Sequence, residues 1–400
     1  MTFTYLARKR KFVVPAFLFA MLCCNVTVLV RSMGGLRKGY QDFTIYYTSG
    51  RMLRDGKAAD LYDLAAEYRT QIEFATVPDP KLALPFNHPP YEALLFVPFT
   101  WLGYWSAYVL WTILNLLMVA VSAVLLRRFQ KSRELSPMLL ALACVAFFPI
   151  SIGMILGQDI FLLLLLMVLA LNSLDQGKYA AAGAWLATGL FRPHVILPLV
   201  LLLAVRRLRV LTGFIPTALV LGAISAMIVG WRWPLMYIHF VSQVEHTWRN
   251  NLGPLEAPNL RGLIGYLPGL RAAAPISGWL IGISSLAVLA LAIRRICKAN
   301  DSASYLFSLC VVTTLLVSYH GLWYDFTLLI PLVLFLLASL MKADPQELGT
   351  GRIVLLFLLF LSPLYLYLAV DVHRFFWYGA VLLGLFVRLV RTPAPAGDPA

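Results

Sequence analysis

The 400 residues are 60% hydrophobic and 13% charged, with a net charge of +14 and a mean hydropathy of +0.78. A soluble domain carries roughly 25% charged residues, so this composition excludes one and predicts an all-α, polytopic integral membrane protein. Nucleic acid is excluded as the partner of the positive charge. The Lys and Arg clusters fall at the ends of apolar segments, where anionic lipid headgroups and the positive-inside bias account for them.

In chain order, the N-terminal RKRKFVVPAFLFAMLCCNVTVLV is too long for a signal-peptide core and lacks an A-x-A-like cleavage site, so it is read as a retained first span. Apolar runs that approach the ~20 residues of a crossing helix follow. Spans are expected at 12–30, 104–126, 138–156, 160–174, 211–230, 276–293, 303–319, 326–341, 353–370 and 375–390. Residues 179–205 are expected to form two short helices meeting at Arg192-Pro193, since proline removes a helical hydrogen bond and clashes with the preceding turn. A single long tilted helix is the rival reading. With the pair, the count is about twelve membrane helices (10–13), and the basic loops all fall on the cytoplasmic side. The 400 residues are read as a single domain. It has a first outer, periplasmic loop at 31–91, a second at 231–275 and a disordered cytoplasmic tail at 392–400.

The first outer loop holds seven of the nineteen acids. Its DFTIYYTSGRML is expected to be an amphipathic surface helix with Asp42 at its start and Gly50 as a weak point. ALLFVPFTWLG (93–103) is too short to span and reads as re-entrant or interfacial. The five cysteines lie in or at the end of apolar segments and read as small core hydrophobes rather than a disulfide framework.

On this topology His88, His194, His239, His246, His320 and His373 all lie on the outer side or at the Arg192 turn. So do FNHPP, LGQD, FRPH and SYHGLWYD. Such convergence is what a site would produce, although polar loops must also lie somewhere. Asp42 reads either as a helix N-cap or as a general base taking the proton of an acceptor hydroxyl. Arg192, a charge amid twenty-seven mostly apolar residues, reads either as a phosphate ligand or as a structural partner of Asp159 or Asp325. His320 and Tyr324 adjoin Asp325, which is read as the cap of the following helix. Gln158 and Asp159 are read as turn and cap residues, with Gln158, Tyr46, His88, His194 and Tyr324 as possible substrate contacts. There is no P-loop, H-E-x-x-H, C-x-x-C, G-x-S-x-G or D-x-D. No ligand-like histidine spacing places a metal in the site, and no cofactor is expected.

Taken in order, GYQDFTIYYTSGRMLRDGKAADLYD, FNHPPYEALLFVPFTWL, LWTILNLLMV, LGQ, ATGLFRP and SYHGLWYDFTLL are more specific than any one of them. Together, over roughly residues 38–330, they resemble glycosyltransferase family 87, the GT-C-type family of polyprenyl-phosphate-mannose-dependent α-1,2-mannosyltransferases. The resemblance implies a GT-C-type fold and inverting transfer of a hexose, mannose, from a polyprenyl-phosphate donor to a glycolipid or glycan hydroxyl. The reaction would take place at the outer face of the cytoplasmic (inner) membrane. The family's catalytic acid then matches Asp42. Its basic residue before a proline matches Arg192, where lysine is the expected type, and its outer-turn histidine matches His320, with Tyr319 in place of the usual proline. Two other classes stay open. A transporter or flippase of lipid-linked or small solutes should show related halves, which this chain lacks. A membrane scaffold leaves Arg192 unexplained.

Overall fold

The computed structural model describes residues 9–39, 41–76, 83–129, 135–247, 257–267, 269, 274–298, 302–342 and 350–391. The tail at 392–400 and parts of both long outer loops lie outside the described residues. Among the described residues all regular structure is helical. The longer helices of the first half are α1 (Arg10–Lys38), α2 (Phe43–Arg54), α3 (Leu64–Gln71), α4 (Pro90–Phe96), α5 (Tyr104–Leu126), α6 (Pro137–Ala146), α7 (Phe148–Leu156), α8 (Ile160–Asp175) and α9 (Tyr179–Thr188). The second half adds α10 (Pro193–Ala204), α11 (Leu211–Val229), α12 (Trp233–Thr247), α13 (Leu260–Gly265), α14 (Ala274–Lys298), α15 (Ala303–Val317), α16 (Ile330–Lys342), α17 (Thr350–Phe360), α18 (Ser362–Leu366) and α19 (Tyr378–Arg391).

Five helices are long and apolar enough to cross a membrane, and seven if each of two bent pairs counts as one span. The expected twelve would also need the four shorter apolar helices at 160–175, 179–191, 193–204 and 303–317 and α19, at the expected 375–390 span. The bends fall inside the expected 138–156 and 353–370 spans, at 61° and 62°. At the first bend the chain leaves helical geometry at Phe147, and Pro149 opens the next turn. Backbone carbonyls freed there cannot be left bare in an apolar setting. Asn25, buried in α1, donates its amide to Val145 O and Ala146 O at 3.2 and 3.1 Å.

The first helix runs to Lys38, past the expected end at 30, and stops at Gly39 in a left-handed cap, φ 78°. A Cβ there would lie 2.6 Å from the Ala75 side chain. The following helix forms over the expected residues, but it is no surface helix. Phe43, Thr44, Tyr46, Thr48 and Ser49 are all essentially sealed from solvent. Gly50 is a close approach rather than a weak point, because a Cβ there would meet the Phe96 backbone at 2.7 Å. Of the cysteines, Cys144 and Cys310 are in the core as expected, whereas Cys23 and Cys297 are exposed; all five are free.

The chain breaks at Arg192, as the proline requires, because the residue before proline is pushed out of helical geometry. Its φ and ψ are −120° and 72°. The two arms take different partners. Helix α9 packs on α8 and α11, and α10 packs on α15. The α9–α11 crossing is very tight: a Cβ on Gly183 would sit 1.9 Å from Val210 O, and one on Gly213 would sit 1.8 Å from Ala180 O. Small residues at such a crossing let two membrane helices approach backbone to backbone.

Contacts between charged and aromatic residues mark one end of the bundle. Arg128 pairs with Asp175 at 3.0 Å, Arg207 lies over the Tyr179 ring and Arg295 over the Tyr305 ring. The turns carrying Asp42, Gln158, Arg192 and Asp325 lie at the opposite ends of these helices.

Candidate active site

The site is assembled around the Leu156–Asp159 turn. Helix α7 stops at Gly157, φ 67°, where a Cβ would meet the Phe43 side chain at 2.7 Å. Three side chains on one face of α5 hold the turn, at the helical spacing that brings them into line. Tyr108 donates its hydroxyl to Ile155 O at 2.9 Å, Trp111 its indole N–H to Gly157 O at 2.9 Å, and Asn115 its amide to Gln158 O at 3.1 Å. The sequence run LWTILN is thus a clamp on LGQD. It fixes two buried polar side chains, Gln158 and Asp159.

Arg192 enters from the break before α10, 4% exposed. Its Nε donates to Asp159 Oδ1 at 2.9 Å and its Nη1 to Asp325 Oδ1 at 3.2 Å. Its Nη2 donates to Asp159 Oδ1 and to Gln158 Oε1. The guanidinium also lies over the Tyr324 ring, 5.3 Å from its centre. Gln158 passes the connection on. Its Oε1 accepts from the Tyr46 hydroxyl at 3.1 Å, and its Nε2 donates to Asp42 Oδ2. Asp42 and Arg192 are 150 positions apart in sequence, and a single glutamine side chain joins them.

Three sequence-level readings are corrected by this geometry. Asp42 precedes the helix but makes no side-chain cap bond; its carboxylate accepts from Gln158 instead. Asp159 stands at the start of α8 and also caps nothing with its side chain, because Arg192 takes it. Asp325 caps from inside the first turn rather than before it, its Oδ2 accepting from Leu322 N at 2.7 Å while Oδ1 accepts from Arg192.

A second group adjoins the first. Glu67 and Gln71 on α3 pin the run before His88: Glu67 accepts from Phe86 N at 3.2 Å, and Gln71 brackets Leu84 at 2.7 and 3.0 Å. Tyr62 donates to His88 O at 2.8 Å. The imidazole packs against the rings of Phe86 and Tyr46. His88 Nδ1 lies 2.7 Å from Glu92 Oε2 and 3.8 Å from Asp159 Oδ2. Burial holds the His88 imidazole down to about 4 and so neutral, against the pull of Asp159. Burial and then the neighbouring Asp159 charge push the Glu92 carboxyl well up. Burial also raises Asp159, but the Arg192 guanidinium and His88 outweigh it and hold Asp159 below its ordinary value. His88, Glu92 and Asp159 are the three described residues whose side chains could hold a metal together.

His194 and His320 face each other edge to face, ring centres 5.8 Å apart. The His320 turn is fixed by Ser318, which donates to His320 O at 2.5 Å, and by Asn259, which donates to Ser318 O at 2.8 Å. The expected outer-face histidines therefore divide. His88, His194 and His320 adjoin the polar cluster, whereas His239 and His373 are exposed elsewhere, and the His246 side chain is outside the described residues.

Glu92 is the residue that sequence reasoning misses. Its signal is a lone acid in the apolar helix PYEALLF, one helical turn after a histidine.

A membrane body of helices with a buried cluster of acids, an arginine and histidines at one end is what a membrane transferase needs. The model of glycosyltransferase family 87 matches residues 86–318, more than half of the chain. The chain belongs to glycosyltransferase family 87. Comparison with curated proteins and with solved structures returns no match. The match starts after Asp42 and stops before His320, Tyr324 and Asp325, so it is shorter than the expected 38–330. Within it fall His88, Glu92, Gln158, Asp159, Arg192 and His194. As a family 87 member the protein is a membrane glycosyltransferase, and the transporter and scaffold readings lose their ground.

Proposed function

We propose that the protein transfers a hexose, mannose by the family likeness, from a polyprenyl-phosphate donor to a glycolipid or glycan hydroxyl, with inversion and with Asp42 as general base. The acceptor hydroxyl gives its proton to the Asp42 carboxylate as its oxygen bonds to the anomeric carbon. The bond from that carbon to the donor phosphate breaks, and the polyprenyl phosphate leaves with the electron pair. The observation that carries this reading is the Asp42–Gln158–Arg192 connection, which holds the one half-buried carboxylate of the cluster at a fixed place beside buried groups. Positioning of this kind is a large part of what general-base catalysis requires.

Arg192 and His320 are the proposed donor-phosphate ligands. Arg192 already commits most of its N–H groups to Asp159, Gln158 and Asp325, so its contribution is charge and at most one further hydrogen bond. The His194–His320 pair supplies the remaining donors. His88, Tyr46, Gln158 and Tyr324 are positioned to shape the sugar pocket. The basic ends of the helices lie opposite the site, which supports a cytoplasmic-membrane orientation with the site facing outward. Nucleotide sugars are not available on that side, so a lipid-borne donor follows.

The test is transfer by purified protein in nanodiscs supplied with polyprenyl-phosphate mannose and envelope lipid extract. Wild type is expected to label an acceptor, and Asp42→Asn, folded by its melting profile, is expected to label none. Equal labelling by both removes Asp42 from the role.

A further inference from the structure

The cluster holds more carboxyl groups than its one guanidinium can balance. Asp42, Glu92, Asp159 and Asp325 face a single guanidinium, and Arg192 reaches Asp159 and Asp325 directly and Asp42 through Gln158. Glu92, 2% exposed, is paired with no Lys or Arg among the described residues, and its one basic neighbour is the His88 imidazole, Nδ1 2.7 Å from Oε2. A buried carboxylate without a partner must be neutralised by a proton or a cation.

We infer that His88, Glu92 and Asp159 form a site for one divalent transition-series cation of the Mn²⁺–Zn²⁺ class. The three ligand atoms all lie within 4.8 Å of one another. Two of the separations are 2.7 and 3.8 Å. Ligands bound at about 2.1 Å stand about 3 Å apart at right angles and about 4.2 Å apart when opposed, so these separations fit a common ion. The ligand-facing atoms are the ones left over. His88 Nδ1, both Glu92 oxygens and Asp159 Oδ2 are buried, face one another and have no hydrogen-bond partner outside this trio among the described residues. The other Asp159 oxygen is taken by Arg192, so that carboxylate is divided between the guanidinium and a side that faces His88.

The donor set decides the class. One imidazole nitrogen with two carboxylates suits Mn²⁺ or Zn²⁺ better than the all-oxygen shells of Ca²⁺ or Mg²⁺. The supports of a ligand shell are also present. Arg192 orients Asp159, and the Tyr62 hydroxyl and the Phe86 and Tyr46 rings fix His88. The cation would add positive charge beside a cluster that must also accept an anionic donor. Binding of the ion does not depend on which sugar or lipid is used.

The experiment strips full-length protein in nanodiscs with EDTA, then titrates it with MnCl₂. Free Mn²⁺ is read by electron paramagnetic resonance and melting temperature is followed in parallel, with ZnCl₂ as a second probe. One saturable equivalent per chain is expected, with a higher melting temperature on loading. Glu92→Gln and His88→Asn are each expected to weaken binding at least 10-fold and to abolish the metal-dependent rise. Wild type that binds neither ion above the level of Glu92→Gln, or that melts identically stripped and loaded, overturns the site. In that case Glu92 and Asp159 share a proton, and Glu92→Gln is as stable as wild type. If both variants fail to fold, the stripped-against-loaded comparison of wild type still decides.

Discussion

Two kinds of helix in this protein have the same hydropathy and opposite surroundings. The spans at Leu208–Val229 and Pro275–Lys298 have mean hydropathies of 1.9 and 2.2, and the span at Trp323–Lys342 has 2.0. Yet 11% of each of the first two windows is buried inside the protein, against 78% of the third. Hydropathy cannot separate them, because lipid tails are as apolar as a protein interior. What differs is the company at one end. The buried span begins at Trp323, and its Tyr324 and Asp325 close over Arg192. The exposed spans present Leu219, Met227, Ile283 and Leu286 outward. The protein's polar groups are tolerated only where helices pack around them, and its apolar ones are free to face lipid.

The contrast can be broken at its polar end first. Asp42→Asn is expected to cut transfer by about 10²–10⁴-fold, the usual range for losing a general base, with melting unchanged; product formation by radiolabelled donor measures it. Arg192→Met leaves Asp159 and Asp325 uncompensated and is expected to cost about 3–5 kcal/mol, read as a large drop in detergent melting temperature, with Arg192→Lys recovering part of it. If Arg192→Met melts like wild type, the cluster does not hold α8, α10 and the 323–329 turn together.

Packing comes next. Gly183→Val or Gly213→Val forces α9 and α11 apart, an overpacking cost of about 1–3 kcal/mol, visible as poorer folding yield. Full yield in either variant means the crossing is looser than 1.8–1.9 Å contacts allow.

A smaller effect should appear in pH dependence. Burial makes His88 bind its proton less tightly when folded, at about 4, than at its ordinary 6.5, with Asp159, Arg192 and Asp42 as the charges acting on it. Unfolding therefore takes up a proton between those values. Stability at pH 7 is lost as pH falls through about 6.5 toward 4, by at most about 1.4 kcal/mol per unit. Melting scans of stripped wild type against His88→Asn isolate this slope from the opposing one of Glu92, and parallel scans would remove His88 from the buried set. Smallest of all, Leu219→Ala or Ile283→Ala on the lipid-facing helices should change stability by less than about 0.5 kcal/mol; a larger loss would mean that these faces are covered.

Much of this contrast is legible in the amino-acid sequence. Pro193 announces the break at Arg192, and the isolated arginine calls for a partner, with Asp159 and Asp325 both among the candidates. The readings that fail are local ones. Asp42 and Asp159 look like helix caps because acids before apolar runs usually are, whereas Asp325 does cap, from inside the first turn. All three have a side-chain oxygen committed to a distant residue: Gln158 for Asp42, Arg192 thirty-three positions away for Asp159, and Arg192 again for the second oxygen of Asp325. Glu92 draws no notice in the sequence because its meaning lies in Asp159, which no spacing rule connects to it.

By itself the sequence determined that the chain is a set of apolar helices and where several of them must stop. Those are local facts, set by runs of hydrophobic residues, by prolines without an N–H and by glycines that accept positive φ. Tertiary structure alone decided which polar groups meet, because that depends on how each helix is rotated about its axis. Rotation is set by packing against distant segments, such as the α9–α11 glycine crossing and the α5 clamp on Gly157. Hydropathy, averaged around the helix, carries no record of it.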